Sequence, residues 1–319
     1  MRADIAAGGA AEPLFSSDGK DRAQAWDEAM RSGDFGRAWA ITDAFLREPL
    51  PAKHEGPRHF QRIWRGEPLA GRRVLVRCYH GLGDTIQFVR FAAPLRALAR
   101  EVTVWCQPEL MNLVGTAAGV DRVVPLHEGT PDVAFDVDIE IMELAHALRV
   151  TARDVGARVP YLACRPEPRP RDGRFRIGLV AEAGDWDRRR SVPLSALEPL
   201  LRLPDAEILS LRPGTRLDGL PIRDFSTPSI DTLAARLCTL DAVVSVDTMV
   251  AHLAGALGLT AATLLHSCAD WRWGRGETSV WYPTMRLFRQ QVPGEWSAPV
   301  AALAGWLSAK VAPCVRNRT

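Results

Sequence analysis

The sequence predicts an α/β protein: two consecutive open units, each built on a parallel sheet, following a short N-terminal helical hairpin. Three observations carry this. From residue 73 short apolar strands alternate with helices at βαβ spacing, and the same alternation restarts at residue 174. Between the two cycles lies CRPEPRPRD (164–172), rich in Pro and Arg and without apolar periodicity, which reads as a linker. Two such units leave a cleft between them, and open α/β sheets bind ligands outside the carboxyl ends of their strands.

Taken in order, residues 21–48 place Ala25, Ala29, Trp39, Ile41 and Phe45 at helical spacing around a Ser-Gly-Asp turn, a helical hairpin. Its spacing looks like one tetratricopeptide unit. One unit cannot bury its own face and no second copy follows at a 34-residue period, so packing on the main body is expected. Pro49, Pro51 and Pro57 mark a connector. The first cycle then reads as a strand at 73–79, a Gly81–Asp84 turn, a helix over 85–98, a strand at 101–107, a helix near 109–116, and strands at 122–124 and 135–141. The second reads as a strand at 174–181, a helix at 195–201, a strand at 207–211, a helix at 230–239, a strand at 242–246, a helix through Leu257 and a strand at 262–266. An amphipathic segment, 296–310, closes the chain. The expected domains are 1–56, 57–168, 169–295 and 296–319.

Composition narrows the function. Among 319 residues, 40 Lys+Arg face 38 Asp+Glu, a net charge of +2, too balanced for coating nucleic acid or an anionic membrane; any membrane association would be peripheral. Only Lys20, Lys53 and Lys310 are lysines, so 37 of the cations are arginines and residues 54–309 hold no lysine. A P-loop lysine or a lysine Schiff base is thereby excluded from the body of the chain. Phosphate chemistry would rest on arginine, backbone N–H groups and helix ends. Six scattered cysteines suggest neither a disulfide framework nor a zinc site. The first 15 residues lack a continuous apolar stretch, and Ala242–Leu265 is broken by Asp247 and His252, so neither a secretory signal nor a membrane span is expected, and the location expected is cytoplasmic.

Three motifs stand at strand ends. Gly81-Leu82-Gly83-Asp84-Thr85 joins strand to helix: its glycines let backbone approach a ligand, and Asp84 is either a base in the cleft or a helix cap. Residue 86 is Ile, so this is not a dinucleotide fingerprint. Ser245–Ala256 delivers Asp247 and Thr248 to a strand end and places His252 one turn into the next helix. That suits a nucleotide, with ribose on Asp247, phosphate on Thr248 and the helix start, and phosphate or sugar on His252; it also suits a capped helix with a core histidine. Arg188-Arg189-Arg190-Ser191, after Gly184-Asp185-Trp186-Asp187, is a diphosphate clamp or a solvated charge run, and Arg212 could add a cation at the same sheet edge. Asp136/Asp138 and Asp185/Asp187 have D-x-D spacing, but strand alternation explains the first and adjacent arginines compete for the second, so no metal is expected.

Together these residues resemble the GT-B glycosyltransferases of the heptosyltransferase family (family 9), especially relatives that follow tetratricopeptide repeats in bacteria. The matching stretches are 66–95, 174–197 with its RRRSVPLSAL, SVDTMVAHLAGALG (245–258) and DWRWGRGETSVWYPTMRLFRQ (270–290). The resemblance implies two Rossmann-like domains, acceptor side first and nucleotide-sugar donor side second, and a last helix crossing back to the first domain. It implies a metal-independent, inverting transfer of a hexosyl or heptosyl group from a nucleoside-diphosphate sugar to a glycan or protein hydroxyl, with no other cofactor. Asp84 would be the general base. Gly81, Gly83, Arg188, Arg190, Ser191, Arg212, Asp247, Thr248 and His252 would hold the donor, with Trp271, Trp273 and Tyr282 as cleft wall or apolar core. His80 stands where relatives carry Gln and offers a second base or an acceptor contact. Glu182 beside a diphosphate would repel it unless an arginine pairs with it. The altered 181–191 loop keeps open a catalytically silent binding or assembly protein, and the fold alone admits a nucleotide-sugar epimerase.

Overall fold

A computed structural model describes residues 17–47, 64, 66–129, 131–170, 172–185, 187–215 and 222–316. The expected connector at Pro49, Pro51 and Pro57 lies outside these residues, as does Trp186.

Two helices come first, α1 (Ser17–Ser32) and α2 (Phe35–Leu46). Gly33 turns between them with φ +76°, and Asp34 caps α2 by accepting the Arg37 N–H at 3.1 Å. The first sheet unit contains β1 (Arg73–Arg77), α3 (Leu82–Phe88), α4 (Ala92–Leu98), β2 (Glu101–Cys106), α5 (Met111–Val114), β3 (Arg122–Pro125), β4 (Val137–Glu140), α6 (Leu144–Ala147) and α7 (Ala152–Gly156). Its strands are parallel, in the order β3-β2-β1-β4. The second contains β5 (Phe175–Val180), α8 (Glu198–Leu201), β6 (Ala206–Ser210), β7 (Ile222–Asp224), α9 (Ile230–Leu237), β8 (Ala242–Val246), α10 (Met249–Ala256), β9 (Ala261–Leu265), β10 (Met285–Arg289) and α11 (Ser297–Arg316). Its strands are also parallel, in the order β10-β9-β8-β5-β6-β7.

These orders decide where a site can form. Strand order reverses between β1 and β4 in the first sheet and between β5 and β8 in the second, and such switch points open a crevice at the strands' carboxyl ends. The Gly81–Asp84 turn follows β1, the 184–191 loop follows β5, and Asp247 follows β8. All residues of β5, β8 and β9 are buried, as the near-continuous apolar runs of a covered parallel sheet require.

Two expectations change. The helix read over 85–98 starts earlier, at Leu82, and is interrupted by a 3-10 turn at Val89–Phe91 before α4 resumes. Pro94 sits in the first turn of α4, where its missing N–H costs no hydrogen bond but one continuous helix would lose one. The last helix, expected to cross to the first domain, instead packs on α8, β9 and β10 of its own unit. Its buried face, Val300, Leu303, Leu307 and Val311, is the apolar stripe responsible, and Trp306 meets Phe288 of β10 edge-on at 6.0 Å.

The two N-terminal helices touch both units. On one side Trp39 Nε1 donates to the Val150 carbonyl at 2.7 Å, and the Asp43 carboxylate binds Arg149 at 2.8 Å and His146 at 2.8 Å. The Arg149 guanidinium, with help from His146, holds Asp43 down at about 2. On the other side Trp26 packs edge-on against Trp271 at 5.3 Å, Arg31 donates to the Ala269 carbonyl at 2.6 Å, and Glu28 pairs with Arg275. Between the units lies Arg90, 2% exposed, which donates to the carbonyls of Gln87, Val155 and Trp281 and to the Tyr161 hydroxyl. Carbonyl dipoles and the Tyr161, Trp281 and Tyr282 rings replace the water that this buried charge gives up.

Candidate functional site

A cavity of about 920 Å³ opens where the two sheets' carboxyl ends face one another. Residues 79–84 line it from the first unit; Asp187, Arg190, Asp247–Met249, His252, His266 and Arg272 line it from the second. A volume of that size holds a ligand as large as a nucleotide-sugar.

Asp84 is placed by its helix and by the opposite unit. It lies in the first turn of α3 and its Oδ2 accepts the Gly81 N–H at 3.0 Å, so it does cap the helix. Its Oδ1 accepts from Arg272 Nη2 at 2.7 Å, an ion pair between the two units that joins two residues of the cavity lining. Arg272 also donates from Nη1 to Asp270 at 2.9 Å. Burial works to lower the Arg272 pKa, yet Asp270 and Asp84 together hold it above its ordinary value. The turn itself is tied to β2, since Gln107 Nε2 donates to the His80 carbonyl at 2.7 Å and Thr85 donates to Gln107 Oε1 at 2.9 Å.

His80 also lines the cavity, one third exposed, and its Nε2 stands 3.6 Å from Glu140 Oε1. Glu140 ends β4, where the parallel register sets it beside Arg77 of β1. Its Oε2 accepts the Met142 N–H at 2.8 Å, while Oε1 makes no hydrogen bond. Burial pushes this carboxyl up to about 8, so it holds its proton at neutral pH. Nothing in the sequence marks Glu140, the last residue of an ordinary short strand; the register against β1 is what brings it behind His80.

In the second unit, Thr248 is the N-cap of α10, its hydroxyl accepting the Val250 N–H at 3.3 Å and standing 3.0 Å from Ser245 Oγ. Asp247 is nine-tenths buried beside it; burial raises its carboxyl, an effect the Trp273 indole opposes. His252 stacks on Trp273 at 5.1 Å and its Nδ1 is hydrogen-bonded to the Tyr282 hydroxyl at 2.9 Å. Burial, reinforced by Arg272 and Arg90, drives the imidazole down to about 3. It is therefore neutral at pH 7, and offers a phosphate a polar edge but no charge. Trp273 and Tyr282 lie beneath the site as its floor, 1% and 0% exposed, and Trp271 packs between Trp26 and Trp281. Trp273 and Tyr282 thus belong to the apolar core, while Trp271 is half-buried at its edge.

The arginine loop divides. Arg190 lines the cavity and donates from Nη1 to the Asp247 carbonyl at 3.0 Å, which joins the loop to the start of α10. Ser191 accepts the Ala183 N–H at 3.0 Å and closes the loop at its base. Arg188 points into solvent, 84% exposed, paired with Asp185 rather than facing the cavity. Arg212 also stands outside the cavity lining, donating to the Glu182 and Ala183 carbonyls and pairing with the Glu182 carboxylate at 3.6 Å, the neutralisation that Glu182 requires. Of the arginines expected to meet a diphosphate, Arg188 and Arg212 stand outside the cavity lining and Arg190 stands in it, where Arg272 is a second arginine. Within the 270–290 stretch the signal for Arg272 is a cation flanked by two tryptophans directly after Asp270.

The D-x-D carboxylates are engaged by arginines: Asp136 by Arg73, Asp138 by Arg77, Asp185 by Arg188 and Asp187 by Arg189. Among the described residues no group of three His, Cys, Asp or Glu side chains is arranged to hold a metal ion, and no helix is long and apolar enough to cross a membrane.

No protein-family model matches the chain. Its sequence is 24% identical over 320 residues to Protein FlbA of Caulobacter vibrioides, covering 85% of this chain and 52% of that protein. The chain thus spans about half the length of the curated relative it matches. Among solved structures it is similar to a family 9 glycosyltransferase from Veillonella parvula, with a TM-score of 0.55, 10% identity, and coverage of 80% of this chain and all of that one. It is similar also to the E. coli ADP-heptose lipopolysaccharide heptosyltransferase II, with a TM-score of 0.53, 11% identity, and coverage of 77% and 99%. At such identities the likeness is one of fold: mixed α/β with parallel sheets, shared with glycosyltransferases.

Proposed function

We propose that the protein is a two-domain GT-B glycosyltransferase that moves a sugar from a nucleoside-diphosphate sugar to a hydroxyl of a glycan or protein, with inversion and without a metal. The observation that carries this reading is the meeting of Asp84 with Arg190, Asp247 and Thr248 around one cavity, at the switch points of two separate sheets. The donor would lie on the second unit, ribose toward Asp247 and diphosphate toward Arg190 and the start of α10. Asp84, across the cavity, would take the acceptor's proton as its oxygen attacks the anomeric carbon. The leaving diphosphate would gain its stabilisation from arginine and backbone N–H groups. The heptosyltransferase likeness in fold supports the same class of donor.

The test is release of nucleoside diphosphate from ADP-, UDP-, GDP- and CDP-sugars, with water or added glycan as acceptor. The wild type is expected to turn over one of them, and Asp84→Asn to do so about a hundredfold more slowly, as for a positioned base. Equal rates in the two proteins would leave Asp84 a helix cap only. One observation favours a second reading, a protein that binds without transfer: Asp84 is already occupied by Arg272 and Gly81. Nucleotide binding with no turnover of any donor would select it.

A further inference from the structure

Resting on the donor-site reading above, we propose that Arg272 is the cation that receives the donor's diphosphate, and that it does so by leaving Asp84, so that nucleotide binding frees the base. The cavity wall carries four carboxylates, Asp84, Asp187, Asp247 and Asp270, against two arginines, Arg190 and Arg272. A diphosphate entering such a site needs both arginines. Arg190 donates to the Asp187 and Asp247 carbonyls at 3.4 and 3.0 Å and pairs with no carboxylate within 4 Å among the described residues, whereas Arg272 is compensated by Asp84 at 2.7 Å and Asp270 at 2.9 Å. Something must yield, and the geometry says which contact.

The Arg272 guanidinium lies over the Trp271 ring, 4.6 Å from its centroid, and its side chain is 12% exposed. The ring holds one face of the fork, and Asp270, two residues back in the chain, moves with it. Asp84 belongs to the opposite unit and is the partner that can be exchanged without disturbing either element. Its other oxygen stays bonded to the Gly81 N–H at 3.0 Å, so a released Asp84 keeps its place at the cavity edge with one oxygen free. The Nε of Arg272 is buried and makes no hydrogen bond, so the guanidinium is held through Nη1 and Nη2, of which Nη2 is the exchangeable one. A planar fork is suited to take two phosphate oxygens at once, where Asp84 presents one.

The same arrangement orders the reaction. An acceptor arriving first meets a base whose Oδ1 is bonded to arginine; after the nucleotide arrives, that oxygen is open. Donor-first binding follows from the exchange.

Calorimetry with ADP, UDP, GDP and CDP tests this through the competitor. If Asp84 and the diphosphate compete for Arg272, Asp84→Asn removes the rival and binds the preferred nucleotide about five- to tenfold more tightly than wild type, the range set by losing one partly buried ion pair. Arg272→Gln should weaken binding by tenfold or more. In the Arg272→Gln background Asp84→Asn should no longer tighten it, a coupling that a bracing role for the pair would not give. Should Arg272→Gln fail to fold, Asp84→Asn alone decides. Unchanged or weaker binding by Asp84→Asn, with wild type binding normally, overturns the exchange and leaves the donor site standing. Failure of wild type to bind any of the four nucleotides removes both.

Discussion

His252 carries no charge over the pH range in which a nucleotide would be bound, because the aromatic floor of Trp273 and Tyr282 excludes water from it and two arginines repel its proton. The consequence for stability has a definite sign. A histidine held at about 3 in the folded chain and near 6.5 in the unfolded one stabilises fully above pH 6.5, and that stability drains as the pH falls toward 3. Between pH 6.5 and 5 the loss amounts to about 2 kcal/mol from this side chain. Urea unfolding at both pH values should therefore show a shallower pH dependence in His252→Asn than in wild type; equal dependence would mean that the imidazole titrates normally. Residue-level chemistry was only partly legible beforehand. Asp84, Asp247, Thr248 and Arg190 all reach the cavity: Asp247 and Thr248 directly follow β8, while Asp84 and Arg190 stand on the turn and the loop that leave the carboxyl ends of β1 and β5. Arg188 and Arg190 could not be told apart, because in a run of three arginines on an irregular loop no periodicity says which side chain turns inward. Arg272 depended on a contact with a residue 188 positions away.

At the scale of elements, the site depends on how closely α3 and α10 approach. Gly83 sits against the His252 ring, and a Cβ there would lie 2.9 Å from its Cδ2. The ring is stacked and hydrogen-bonded, so it has no room to retreat. Gly83→Ala is expected to cost about 1–3 kcal/mol through overpacking, read as a lowered urea midpoint. Gly81→Ala, which meets only an Asp84 oxygen at 3.3 Å, should cost less. An equal loss in both would place the strain elsewhere. Most of the strands legible in the sequence are buried ones with apolar runs, β3 being the exposed exception. Two escaped. β7 is three residues long and mostly exposed, and β10 (MRLFR) has arginine at its second and fifth positions, which breaks the continuous apolar run that marks a buried strand. The amphipathic stripe of α11 was readable, but a stripe does not say which sheet it covers.

For the whole molecule, the near-neutral charge argues against any global attraction for anions, and residues 54–309 hold no lysine. The two units are not loosely tethered. Arg90 and Arg272 cross between them, Asn112 donates to Asp231 at 2.7 Å, and the N-terminal helices bind each unit in turn. That packing brings the two switch points to one cavity, and the catalytic reading stands on it. A crystal structure of the protein with bound ADP or UDP tests the reading most directly. The account expects the diphosphate between Arg190 and Arg272 at the start of α10, with Asp84 no longer paired to Arg272; a nucleotide lodged elsewhere, or a cavity left empty at saturating concentration, would contradict it.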